Sequence, residues 1–119
     1  MPIKVVYAEE FFRAARKLRK RYPHVLDDVE TLADQLEAGE KPGDPLQGLE
    51  PEDKAYKVRV QNRDAQRGKS GGYRVIYYLE TADQIAMITI YSKTDQSDIP
   101  IQTLRHYIQE YKAQTPPEE

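Results

Sequence analysis

The chain has 119 residues, enough for one domain that buries roughly two thirds of its unfolded surface. With no cysteine and two histidines far apart, it offers no disulfide framework, thiolate metal site or histidine cluster for zinc, so neither metal nor cofactor is expected. Eighteen Lys and Arg against twenty Asp and Glu give a formal charge of −2, a total that argues against a nucleic-acid binder.

In chain order, IKVVY is a short β-prone run, and AEEFFRAARKLRKRY then places Phe11, Ala15, Leu18 and Tyr22 at helical spacing. Pro23 ends this helix and suits the opening turn of a second. In that second helix Val25, Leu26, Val29, Leu32, Ala33 and Leu36 form an apolar stripe before a C-capping Gly39. EKPGDPLQGLEPED, with three prolines and two glycines, predicts a loop of about 14 residues, long enough to suggest a function. KAYKVRVQ, GYRVIYYLE and QIAMITIYSK are rich in Val, Ile, Tyr and Thr and are separated by turn residues, the pattern of an antiparallel meander. IPIQTLRHYIQEYK closes the domain with Ile101, Leu104, Ile108 and Tyr111 on one helical face.

The expected fold is a single α+β domain over residues 1–113, in the order βααβββα, with residues 114–119 as a flexible tail. Its four-stranded, mainly antiparallel sheet carries the helical hairpin and the C-terminal helix. No charged leader precedes an apolar core at the N-terminus, and no apolar run approaches the roughly 20 residues that span a bilayer. The expectation is a cytoplasmic protein with no membrane partner.

Charge is unevenly distributed. Residues 1–53 hold eight cations and twelve anions, residues 54–74 hold seven cations against Asp64 alone, and residues 75–119 hold three cations and seven anions. A polyanion responds to the +6 of the middle segment and to counterion release there, so the whole-chain total is the wrong quantity to consult. Strand alternation sends Tyr56, Val58 and Val60 to one face and Lys57, Arg59 and Gln61 to the other. Arg74 lies in a run too apolar for an exposed edge, so its guanidinium needs a partner. A salt bridge to Asp95, Asp98 or Glu80 would satisfy it; an anionic ligand would do so equally.

The tripeptide GKS at 68–70 is not the end of a nucleotide-binding P-loop. That pattern requires a glycine where Arg63 stands and a helix where GGYRVIYYL reads as strand. The residues YKVRV, RGKSGGYRVIYYL and IYSKTDQSDI, preceded by the two-helix segment and by GDPLQGL, together resemble the RelE family of bacterial toxins, in its HigB-like branch. The resemblance covers nearly the whole chain. It implies a ribosome-dependent endoribonuclease, the toxin of a type II toxin-antitoxin system, that cleaves messenger RNA in the ribosomal A site. It also implies a cognate antitoxin with a helix-turn-helix DNA-binding domain, with the ribosome and messenger RNA as further partners. The isolated toxin is expected to be a monomer.

Such a reaction needs a proton acceptor for the 2′-hydroxyl, charge neutralisation at the phosphoryl oxygens and help for the departing 5′-oxygen. His24 at a helix start and His106 off the apolar stripe read as surface residues, which leaves the cations. Protonating one lysine beside several other cations is unfavourable, so a clustered lysine becomes a usable base, and Lys57 is the candidate. By match to the family's K-x-R strand, Lys57 and Arg59 flank the attacking side and Arg74 corresponds to the arginine that clamps the scissile phosphate. A planar, permanently charged fork suits that duty. Lys93 in IYSK is the available cation on the leaving-group side; several relatives carry an arginine where this chain has Thr94. Their later tyrosine for base stacking has no counterpart in SDIPI, and Tyr91 is the candidate ring here.

The loop NRDAQRGKSGG adds Arg63, Arg67 and Lys69 as candidate RNA-binding residues, with a solvated loop as the plain alternative. The six cations of RAARKLRKR read as the solvated face of the first helix, or else as a contact with ribosomal RNA. Two other functions fit the same fold class. A ParE-type gyrase inhibitor should lack the triad Lys57, Arg59 and Arg74, and a non-catalytic RNA-binding module should bind RNA without arresting growth.

Overall fold

In the computed structural model, which describes residues 2–65 and 72–114, the elements are β1 (Lys4–Tyr7), α1 (Glu9–Arg19), α2 (Val25–Glu37), β2 (Asp44–Pro45), β3 (Ala55–Val60), β4 (Tyr73–Thr81), β5 (Gln84–Ser92) and α3 (Ile101–Gln114). Glu9 and Glu10 fill the first turn of α1 and Arg16, Lys17 and Arg19 the last, each sign beside the helix end of opposite partial charge. Ala8 offers α1 no side-chain cap; its own N–H donates instead to the Met87 carbonyl at 2.9 Å, pinning the helix start to β5. In α2 the predicted stripe is buried at Val25, Val29, Leu32, Ala33 and Leu36, while Leu26 is 42% exposed and lies outside it. Gly39 ends the helix at φ +95°, donating to the Leu36 carbonyl at 3.0 Å; this left-handed stop is where glycine costs least.

The sheet has five strands in the order β1-β5-β4-β3-β2, and it is mixed. This corrects the expected four strands. The added β2 pairs Asp44 with Lys57 and Pro45 with Tyr56, inside the segment predicted to be a loop. Gly43 makes that pairing possible: at φ +96° it lies so close to β3 that a Cβ would stand 2.5 Å from the Lys57 carbonyl oxygen. β1 runs parallel to β5, whereas β2, β3, β4 and β5 pair antiparallel in succession. Between the pairs Ile76/Thr89 and Tyr77/Met87 the β4–β5 register slips by one residue, at Ile88.

Helices cover the sheet on both faces. On one face Phe11 and Ala15 of α1 and Val25, Val29, Leu32 and Leu36 of α2 pack on Val58, Val60, Tyr73, Val75, Tyr77, Met87 and Ile90. On the other, Leu104, Ile108 and Tyr111 of α3 pack on Ala55, Ile76, Tyr78, Ala86 and Ile88. Among the described residues, no helix is long and apolar enough to cross a membrane.

Candidate functional site

α3 covers only one end of its face of the sheet. β3 and β4 place Lys57 opposite Ile76 and Arg59 opposite Arg74, and β5 places Tyr91 opposite Arg74. Because directly opposed residues share a face, Lys57, Arg59, Arg74 and Tyr91 continue the surface that begins with the α3-covered Ile76. Lys93 follows β5 by one residue and keeps the ladder going, its N–H donating to the Gly72 carbonyl at 3.4 Å. The four candidate catalytic cations, Lys57, Arg59, Arg74 and Lys93, therefore share one end of one sheet face.

Gly72 lets the start of β4 approach β3 closely: a Cβ there would stand 2.7 Å from the Val60 carbonyl oxygen, whereas the Arg59 side chain would be at ordinary contact distance, 3.4 Å. The Gly72 carbonyl also accepts from Arg74 Nη1 at 3.4 Å, and the Tyr73 carbonyl accepts from the same nitrogen at 3.3 Å.

The anticipated carboxylate partners of Arg74 are committed elsewhere. Asp95 accepts from Arg21, Glu80 accepts from Gln84 and Tyr111, and Asp98 accepts from Tyr91. Among the described residues no carboxylate pairs with Arg74, a half-buried cation held by two long contacts to backbone carbonyls. A guanidinium with five donors and such weak partners is poised to take an anion.

Asp98 is the residue that sequence reasoning misplaced. Its Oδ1 accepts from the Tyr91 hydroxyl at 2.8 Å and lies 3.3 Å from Lys93 Nζ and 3.8 Å from Lys57 Nζ. Lys57 thus faces a carboxylate, not only the fellow cations expected around it. Tyr91 also requires correction: its ring is 3% exposed, covered from stacking on a base, and it presents its hydroxyl to Asp98 instead. Burial, and then the Asp98 hydrogen bond, push the Tyr91 phenol well up, so it stays a neutral donor.

Of the candidate RNA-binding residues, Arg63 belongs to a different contact. Its Nε donates to Asp28 Oδ1 at 2.9 Å and its backbone N–H to Oδ2 at 3.1 Å, satisfying a buried carboxylate of α2. Arg67 and Lys69 lie outside the described residues. His24 is exposed, as expected, yet it has a task that no local pattern signals: its backbone N–H and Nδ1 each meet the Asp64 carboxylate at 2.8 Å. His106 is exposed beside Glu110 on α3.

Two carboxylates are held below the usual range, Asp64 by its hydrogen bonds from His24 and Asp98 by the Tyr91 hydroxyl followed by Lys93 and the charge of Lys57. A depressed folded-state value means that each contributes stability above the unfolded carboxylate range near pH 4, and that this is lost as pH falls through the folded value. Urea midpoints measured from pH 5 downward are expected to fall, and to fall less steeply in Asp64→Asn and Asp98→Asn. Acid slopes identical to that of the parent would show that these contacts do not hold in solution.

No family model matches the chain, and no curated protein matches it.

Proposed function

We propose that the chain is a ribosome-dependent endoribonuclease, the toxin of a type II toxin-antitoxin pair, which cleaves messenger RNA in the A site by attack of the ribose 2′-oxygen. The observation that carries this reading is Arg74, a half-buried guanidinium without a carboxylate partner among the described residues, at the centre of a cationic sheet end. The resemblance of YKVRV, GYRVIYYL and IYSK to the RelE toxins supports the same reading.

In this mechanism Arg74 binds the non-bridging oxygens of the scissile phosphate and neutralises the charge that grows there. Lys57 takes the proton of the 2′-hydroxyl as the 2′-oxygen bonds to phosphorus, and Arg59 holds the attacking nucleotide. The bond from phosphorus to the 5′-oxygen breaks, and Lys93 supplies a proton to that oxygen. The products are a 2′,3′-cyclic phosphate and a 5′-hydroxyl end. The partner antitoxin must cover or distort this cationic end, and an acidic toxin-binding stretch would do so while speeding capture.

Cations alone orient a flexible RNA poorly, and the ribosome would supply the missing alignment of 2′-oxygen, phosphorus and 5′-oxygen. Purified protein is therefore expected to cut messenger RNA on programmed ribosomes at least about a thousandfold faster than the same RNA free in solution. Equal rates on the two substrates would overturn the ribosome-dependent reading.

A further inference from the structure

The place of Asp98 among the site cations points beyond catalysis. One carboxylate oxygen receives the Tyr91 hydroxyl at 2.8 Å and lies within 4 Å of the ammonium groups of Lys93 and Lys57, at 3.3 and 3.8 Å. A donor hydroxyl and two ammonium groups converging on one oxygen form a site for an anionic oxygen, whichever molecule carries it. The Asp98 side chain is 52% exposed, so it meets these groups from the solvent side. It comes from the segment between β5 and α3, which contributes no strand or helix of its own between Lys93 and Pro100. It also adjoins an open groove of about 740 Å3 between α1 and that segment, which gives the side chain room to swing away.

We propose that Lys57, Lys93 and Tyr91 form a ready-made subsite for a phosphate oxygen, and that Asp98 is its internal occupant, which an RNA phosphodiester must displace. The identity of the displacing anion rests on the function proposed above; the subsite and its occupant rest on the geometry alone. Arg74, with its weak carbonyl contacts, lies on the same face and is open to the phosphate from the outset, whereas the two lysines become available only when Asp98 leaves. Asp98 thereby opposes phosphate binding without taking part in bond breaking. In the free protein it also keeps the two lysines paired, lowering the attraction of the sheet end for stray polyanions.

Inorganic phosphate is the probe. It is titrated into full-length wild type, Asp98→Asn and the double variant Asp98→Asn with Lys93→Ala, following the backbone amide resonances of Ser92 and Lys93. Asparagine keeps the size of Asp98 and can still accept from Tyr91, so the fold is expected to survive, and the amide spectrum checks it. Removing the competing charge is expected to tighten phosphate binding by about tenfold, and removing Lys93 as well to abolish most of that gain. Unchanged phosphate affinity in a folded Asp98→Asn would overturn the proposal. On programmed ribosomes, Asp98→Asn is expected to lower KM while leaving kcat within about twofold. A collapse of kcat with KM unaltered would also overturn it, by making Asp98 a participant in the chemistry. Phosphate affinity is read without ribosomes, so tighter binding by Asp98→Asn would support the subsite even if the wild type cleaved no message.

Discussion

Arg74→Ala is expected to lower ribosome-dependent cleavage about a hundredfold, close to 3 kcal/mol of lost transition-state stabilisation, while the melting temperature changes by only a few degrees. The small effect on stability follows from what Arg74 touches: two carbonyls at the long distances of 3.3 and 3.4 Å, and no carboxylate among the described residues. A buried salt bridge would behave in the opposite way, because its removal strands a charge at a cost of roughly 3 to 5 kcal/mol. Arg74→Lys is expected to recover only part of the activity, since a point charge cannot bind two phosphoryl oxygens as a planar fork does. Thermal unfolding and growth arrest at matched expression test both halves together. An Arg74→Ala variant that still arrests growth would remove Arg74 from the mechanism, and one that melts far below the parent would make it a structural residue.

The largest expected stability effect lies on the other end of the same sheet face. Lys112→Met is expected to destabilise the fold by about 3 kcal/mol, lowering the melting temperature by roughly 10 °C. The side chain of Asp53 is only 3% exposed, and Lys112 Nζ reaches its two oxygens at 3.0 and 3.3 Å. Tyr78 donates to the same carboxylate at 3.1 Å, its phenol pushed up to about 12 by burial and then by this hydrogen bond. Removing the lysine leaves a buried anion with neutral donors alone. Because Lys112 is 36% exposed, the loss falls at the low end of the range for buried pairs. Adding Asp53→Asn to Lys112→Met removes the stranded charge and is expected to restore part of the stability. A Lys112→Met variant as stable as the parent would show that solvent, not Lys112, balances Asp53.

Local patterns in the sequence revealed those parts of the fold that depend on local geometry. Helical spacing picked out Phe11 and Ala15 in α1, Val29 and Leu36 in α2, and Leu104 and Ile108 in α3, all buried. Period-two alternation in YKVRV put Val58 and Val60 in the core and Arg59 outside. The parallel pairing of β1 with β5 was not legible, because strand periodicity says which face a residue takes and nothing about which strand lies alongside. β2 escaped notice because it has two residues, one of them a proline, held by backbone proximity at Gly43 and by no apolar pattern of its own.

At the site, the shared face of Lys57 and Arg59 was legible from alternation, but the register that sets Arg74 beside Arg59 and the partners of each charge were not. Asp95, Asp98 and Glu80 were equivalent candidates for Arg74 in sequence, and the fold assigns them to Arg21, to Tyr91 and the lysines, and to Gln84 and Tyr111. Such pairing depends on where the segment after β5 turns, which a few exposed polar residues do not encode. The aromatic character of Tyr91 suggested stacking for the same reason: its burial beneath that segment is a tertiary fact.

The most direct measurement maps the ends of a defined messenger RNA on programmed ribosomes after addition of purified protein, alongside the Arg74→Ala variant. The expected result is cleavage confined to the codon in the A site, leaving a 2′,3′-cyclic phosphate upstream and a 5′-hydroxyl downstream, and largely lost in the variant. Intact message on stalled ribosomes, or equal cutting by wild type and Arg74→Ala, would contradict it.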